Sequence, residues 1–79
     1  MKLEILSPEG AIYNGEVDRV TLPGTLGSFT VLENHASLIS SLEEGDIVFH
    51  VMQEKEERTI PIKGGFVEVR KNVVSVCVK

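Results

Sequence analysis

Residues 73–78 read Val-Val-Ser-Val-Cys-Val, and Val74, Val76 and Val78 share one phase of a two-residue alternation. The same period returns along the chain. Leu3 and Ile5 alternate with Lys2 and Glu4. Ile47, Phe49 and Val51 alternate with Val48, His50 and Met52. Ile60 and Ile62 alternate across 58–63, and Val67 and Val69 across 66–70. A period of two puts successive side chains on opposite faces of a strand, so each run describes a strand with one buried face. The runs are separated by turn residues: Ser7-Pro8-Glu9-Gly10, Asn14-Gly15, Glu43-Glu44-Gly45, Lys63-Gly64-Gly65 and Lys71-Asn72. Proline presets φ and glycine admits φ > 0, so these positions reverse the chain. No helical period, repeat, linker or low-complexity segment is present. Short strands with turns at roughly this spacing predict an all-β sandwich or barrel.

The expected core is Leu3, Ile5, Val20, Leu22, Ile47, Phe49, Val51, Ile60, Ile62, Val67, Val69, Val74 and Val76. Aromatic residues make up only 5% of the 79 positions, so Val, Ile and Leu must fill it. One domain over residues 1–79 is the expectation for this length. A domain this small supports only a few kcal/mol of net stability, roughly 3–5, so a partner can matter to it. The stretch 11–22 is the least regular strand candidate. Ile12, Val17, Val20 and Leu22 do not share a phase, which predicts a bulge or sharp bend near Gly15; an Asn14-Gly15 hairpin is the other reading. Pro61 cannot donate to a ladder and marks an edge or a bulge.

The segment 24–45, Gly-Thr-Leu-Gly-Ser-Phe-Thr-Val-Leu-Glu-Asn-His-Ala-Ser-Leu-Ile-Ser-Ser-Leu-Glu-Glu-Gly, is irregular. Gly24 and Gly27 bracket a tight turn. Phe29, Val31 and Leu32 form a short strand-prone run, which Glu33-Asn34 breaks. Irregular loops on a rigid scaffold are where binding residues gather.

Composition excludes several functions. The net charge of −4 comes without a basic patch, which argues against nucleic acid as partner. The acids of 43–46 and 54–57 read as solvated turns. The start of the chain is not a signal peptide, and no apolar run approaches the roughly 20 residues of a membrane helix. The single cysteine forms no intrachain disulfide, which suits a reducing compartment. His50 alternates with apolar residues and reads as a packing histidine. His35 lies in the irregular segment, where it either holds the loop or binds. Cys77 reads as a small hydrophobe, because no cysteine-enzyme signature surrounds it. One cysteine and two distant histidines make no metal set. The glycine turn lacks a P-loop lysine, so no specific ATP binding is expected there. No cofactor and no catalytic constellation is expected.

The run G-x-x-G-x-F-x-V-L-x-N-H-A-x-L-I-x-x-L-x-x-G-D-I, starting at Gly24, resembles the signature of the epsilon subunit of F-type ATP synthases. The opening residues 1–15 resemble that family's first strand, its Ser-Pro-Glu turn and its Tyr-x-Gly. Gly64-Gly65-Phe66-Val67-Glu68-Val69 with Asn72-Val73-Val74 resembles its close. The sequence departs from the pattern at Ser37, where proline is usual, and at Thr30, where glycine is common. The C-terminal helical hairpin of long relatives is not in this sequence, so its ATP-linked inhibition is not carried over. The chain is either a naturally short form or a piece of a longer one.

The resemblance implies a flattened β-sandwich of about eight to ten strands. It implies a non-catalytic central-stalk subunit that joins the gamma subunit to the c-ring and couples proton flow to ATP synthesis. Membrane contact would come only through the complex, on the cytoplasmic face of the bacterial inner membrane. By resemblance, Ser7, Asn34, His35 and Ser40 meet gamma, and Thr25, Leu26, Gly27 and Ser28 meet the c-ring. Two other classes fit the residues alone. One is a free-standing β module that binds a protein partner; the other is a small hydrolase using Cys77 or His35.

Overall fold

The computed structural model describes residues 1–79. Nine strands and no helix follow one another: β1 (Lys2–Ser7), β2 (Gly10–Glu16), β3 (Arg19–Gly24), β4 (Gly27–Leu32), β5 (Leu38–Leu42), β6 (Gly45–His50), β7 (Arg58–Ile62), β8 (Gly65–Arg70) and β9 (Val73–Val78). They form a curled sheet in two halves. The first half runs β2-β1-β9-β8-β5 and the second β4-β3-β6-β7. A single residue pair, Gly24 with Leu42, joins the halves by strand pairing. All neighbours are antiparallel except β1 and β9, whose register runs from Lys2–Val73 to Leu6–Cys77.

Alternation places one face of each half inward. Sixteen buried residues form one cluster. All of the expected core is in it except Val51 and Ile60, which are half-buried against it. Val51 lies just beyond the end of β6, and Ile60 sits on the edge strand β7, so neither is covered on every side. Met1, Val17, Val31, Leu42 and Val78 complete the cluster. Full burial of a side chain of this kind contributes roughly 1.5–3 kcal/mol. At the open end of the halves the Tyr13 ring packs on Phe49 with centroids 4.6 Å apart, and Arg58 lies 5.6 Å over Tyr13.

The stretch 11–22 bends near Gly15, as expected, but just beyond it. Neither a bulge at Gly15 nor an Asn14-Gly15 hairpin forms. The register shifts where Ile5 meets Tyr13 and Leu6 meets Ala11, so Ile12 is the extra residue. The bend falls at Val17-Asp18, between β2 and β3. Val17 is drawn there by Met1: the Val17 N–H donates to the Met1 carbonyl (2.9 Å), and the Met1 amine donates to the Val17 carbonyl (3.1 Å). Its side chain is thereby buried, and the odd spacing to Val20 is absorbed in the bend. Pro61 sits on β7, which pairs only with β6, as its missing donor requires. Lys71 and Asn72 both have positive φ, 50° and 63°, and reverse β8 into β9 as a two-residue hairpin.

Candidate partner-docking surface

The strand directions sort the connections to two ends of the sandwich. One end carries Met1, the bend at Val17-Asp18, residues 33–37, residues 51–57 and the Lys71-Asn72 turn. The other carries Pro8-Glu9, Thr25-Leu26, Glu43-Glu44 and Lys63-Gly64.

Asn34 and His35 lie at the first end. The Asn34 N–H donates to Asn72 Oδ1 (2.8 Å), and His35 Nδ1 is 2.8 Å from the Ala36 carbonyl oxygen. Asn34 reverses the chain with φ 60°, a conformation asparagine tolerates. Ser7 lies at the opposite end, about 17 Å along β1 at the usual rise per residue. Its hydroxyl donates to the Gly10 carbonyl (3.0 Å) and closes the Pro8-Glu9 turn. Ser40 lies within β5, opposite Val67. The four residues form no single cluster, and Ser40 is in the inward phase of β5, with Leu38 and Leu42, facing buried Val67. Thr25 to Ser28 stay together. Thr25 and Leu26 form the two-residue turn between β3 and β4, and Leu26 is fully exposed. The Thr25 hydroxyl meets the Ser41 hydroxyl at 2.7 Å, and the Thr25 N–H donates to the Ser41 carbonyl (3.1 Å).

Glu33 links the amino-terminal group to the 33–37 loop. It accepts from the Met1 amine and from Asn72 Nδ2 (2.9 Å). The Met1 amine, and after it the Asn72 amide, hold its carboxyl below the ordinary glutamate value. A depressed folded value stabilises the fold above the unfolded value and is lost as pH falls through the folded one. The side chain is half exposed, so solvent screens the pair. Glu33→Gln is therefore expected to lower the melting temperature modestly at neutral pH. The gap to the native chain should close as pH falls through and below the ordinary glutamate value of about 4.3. Melting curves of both chains across that range check this.

The polar network near β7 is structural. His50 Nδ1 is 3.0 Å from both Asp18 carboxylate oxygens, and Nε2 is 2.7 Å from the Glu54 carbonyl oxygen. Glu54 also pairs with Arg58, and Arg19 with Glu57, so the loop 51–57 is tied at its base. Arg58 holds the Glu54 carboxyl below its ordinary value. Cys77 and His35 do not meet. Cys77 pairs with Leu6 and Phe66 near one end of the sheet, and His35 sits beyond Leu38 at the other. The geometry therefore offers no cysteine–histidine nucleophile.

The outward phase of the first half holds what the inward phase does not explain. Register aligns Ser41 with Phe66, Phe66 with Cys77, Cys77 with Leu6, and Leu6 with Ala11. All five point away from the core. Phe66 is 53% exposed, Leu6 46% and the neighbouring Ile39 75%. At about 4.8 Å per strand the row crosses five strands in roughly 19 Å. The next row, Ile39-Glu68-Ser75-Glu4-Asn14, is mostly polar. An apolar row that recurs on a solvent face marks a docking surface more than scattered single residues do. At its Ser41 end the row runs into Thr25 and the Leu26 tip. Sequence reading passed over Leu6, Ile39 and Phe66 because it scored only the inward phase. The signal was present as large apolar residues in the opposite phase of three strands.

The family described as "ATP synthase, Delta/Epsilon chain, beta-sandwich domain" matches residues 1–79. The chain belongs to this family. The ATP synthase epsilon chain of Sulfurimonas denitrificans is 48% identical over 79 residues, which are all of this chain and 60% of that relative. The epsilon chain of Leptospira borgpetersenii is 38% identical over 76 residues, 96% of this chain and 58% of that relative. The family member described here thus spans less than two thirds of the length of these epsilon chains. A chain in the Euglena gracilis mitochondrial ATP synthase shares the fold, with a TM-score of 0.88 and 23% identity over 96% of this chain and 48% of that one. A chain in the central stalk and c-ring structure of the Tetrahymena thermophila enzyme does so with a TM-score of 0.80 and 18% identity, over 99% of this chain and 62% of that one.

Proposed function

We propose that the chain is a non-catalytic rotor subunit of an F-type ATP synthase, linking the gamma subunit to the c-ring so that proton flow drives ATP synthesis. The observation that carries this reading beyond family membership is the outward apolar row ending at Leu26. It offers one apolar surface and one projecting tip on a stiff double-layered sheet, which suits a part that passes torque between two partners. Gamma covers the row, with Ser7 at its edge and Asn34 and His35 reached at the far end of the same half. Ser40, in the inward phase of β5 opposite Val67, is reached only along the edge of that strand. The c-ring meets Thr25, Leu26, Gly27 and Ser28.

Cys77 is the only cysteine and lies in the row, so it reports directly on coverage. Alkylation of Cys77 is expected to be at least tenfold slower in the complex with gamma than in the free chain. Phe66→Asp should weaken that complex by roughly 2 kcal/mol or more, about 30-fold, as buried aromatic anchors do. Equal alkylation rates and unchanged affinity would return the chain to the class of free-standing binding modules.

Leu26→Asp separates the two contacts. The exposed tip leaves the core untouched, so the variant should fold and bind gamma as before. In membranes carrying it, fewer protons should be pumped per ATP hydrolysed. An unchanged ratio, with the variant confirmed in the enzyme, would reduce Leu26 to a turn residue.

A further inference from the structure

β4 is an edge strand, and its free edge is unprotected. It pairs with β3 through six consecutive residues, Gly27 to Leu32, without a register shift. Its other side has no strand neighbour. The sequence Gly-Ser-Phe-Thr-Val-Leu carries no charge and no proline. The other edges are blunted in the ways exposed edges usually are. β2 has the extra residue Ile12 and β7 has Arg58 and Pro61, while β5 is held by β3 at its Ser41-Leu42 end, which leaves only its first three residues open, half the length of β4.

The pairing pattern identifies the unpaired groups. A two-residue turn makes Gly24–Gly27 a hydrogen-bonded pair, and such pairs alternate along an antiparallel ladder. Leu22–Phe29 and Val20–Val31 are therefore the next bonded pairs. Ser28 stands opposite Pro23, which has no N–H to give, in agreement with this phase. The N–H and C=O groups of Ser28 and Thr30, and the N–H of Leu32, then point to the free edge. Outside the ladders the only backbone bond of β4 is from the His35 N–H to the Leu32 carbonyl, 3.2 Å. Phe29 is half-buried at this edge, packed on the core from one side only.

We propose that β4 is a site of β-strand addition, taking an extended segment of a partner polypeptide that carries apolar side chains at alternate positions. Main-chain groups of the segment bond Ser28 and Thr30. One of its apolar side chains covers Phe29 on the inward face, and small or hydroxyl side chains lie beside Ser28 and Thr30 on the outward face. A second copy of the chain is not the occupant. Edge pairing over six residues covers far less than the ~1,200 Å² of a stable interface, so the segment must belong to a partner anchored elsewhere. The apolar row supplies that anchor. It reaches Thr25, whose turn opens β4. The inference thus rests on the rotor reading above, with the docked partner supplying the strand.

Amide hydrogen exchange of ATP synthase purified from cells that produce the chain tests it. In the free chain the Ser28 and Thr30 amides should exchange rapidly and those of Phe29 and Val31 slowly. In the enzyme, Ser28 and Thr30 should slow at least 100-fold. Thr30→Pro removes an edge N–H and the exposed hydroxyl contact with Thr21 (2.8 Å); it breaks no β3–β4 backbone bond and should fold, yet be retained in the enzyme at least tenfold less well than the native chain, whereas Thr30→Val, which loses the hydroxyl alone, should be retained normally. Ser28 and Thr30 amides that exchange equally fast in both states overturn the strand addition while leaving the rotor reading intact. A chain absent from the purified enzyme overturns both.

Discussion

Phe49→Ala is expected to leave the chain unfolded at 25 °C. Phe49 is the largest fully buried side chain, and its ring supports Tyr13 at 4.6 Å. It sits on β6 between β3 and β7, at Val20 and Arg58 respectively. Truncating a buried phenylalanine costs about 3–5 kcal/mol, part from lost transfer and part from the cavity left behind. That equals the roughly 3–5 kcal/mol available to a core of this size. Tyr13 and Arg58 lose their support together, so the edges β2 and β7 loosen with the centre. Far-ultraviolet circular dichroism and a urea titration check it. A cooperative transition within 1 kcal/mol of the native midpoint stability would show that the halves repack around the gap.

Gly65→Ala is expected to have a comparable effect from a single methyl group. Gly65 has φ 148°, which L residues rarely adopt, and pairs with Val78 at the start of β8. A Cβ there would lie 2.1 Å from the Cys77 carbonyl oxygen, a backbone atom that cannot swing aside. Strain of this kind costs about 1–3 kcal/mol. Separating the strands to relieve it gives up ladder bonds worth about 1 kcal/mol each. β8 and β9 would part at the point where β5 also pairs, at Leu42 with Gly65. The expected result is a loss of at least 3 kcal/mol, read by the same titration. Gly27→Ala is the comparison: it too has positive φ, but nothing lies within 4 Å of its added carbon, so it should cost less.

These two positions were not equally legible. Phe49 announces itself by its place between Ile47 and Val51 in an alternating run. Gly65 reads in the sequence only as the second glycine of a turn, because the carbonyl it accommodates belongs to a strand twelve residues on. The same divide runs through the rest of the chain. Strand content, the Thr25-Leu26 turn and the Lys71-Asn72 turn follow from local rules that act within a few residues. The placement of the bend at Val17 does not, because Met1 causes it from sixteen residues away. The docking row was legible in its ingredients, Leu6, Phe66 and Cys77, but not as a row. Three registers set by different turns must agree before those side chains line up. His35 looked distinctive in the sequence because its neighbours are irregular; in the fold its ring hydrogen-bonds only the adjacent carbonyl of Ala36, and its N–H donates to the Leu32 carbonyl.

The parallel pairing of β1 with β9 bears on how the chain reaches this state. Lys2 finds its partner in Val73, 71 positions later, and β9 lies between β1 and β8 in the middle of its half. During synthesis the first strand therefore leaves the ribosome with one edge unsatisfied, and β8 later joins it in that condition. Two unsatisfied edges wait for the same strand, the ninth of these nine in chain order. Closing so long a loop before any contact rewards it makes folding slow, in the millisecond to second range of non-local β topologies. Until β9 arrives, Leu3, Ile5, Val67 and Val69 have only partial cover, and that interval is when a neighbouring nascent chain could take the vacant place.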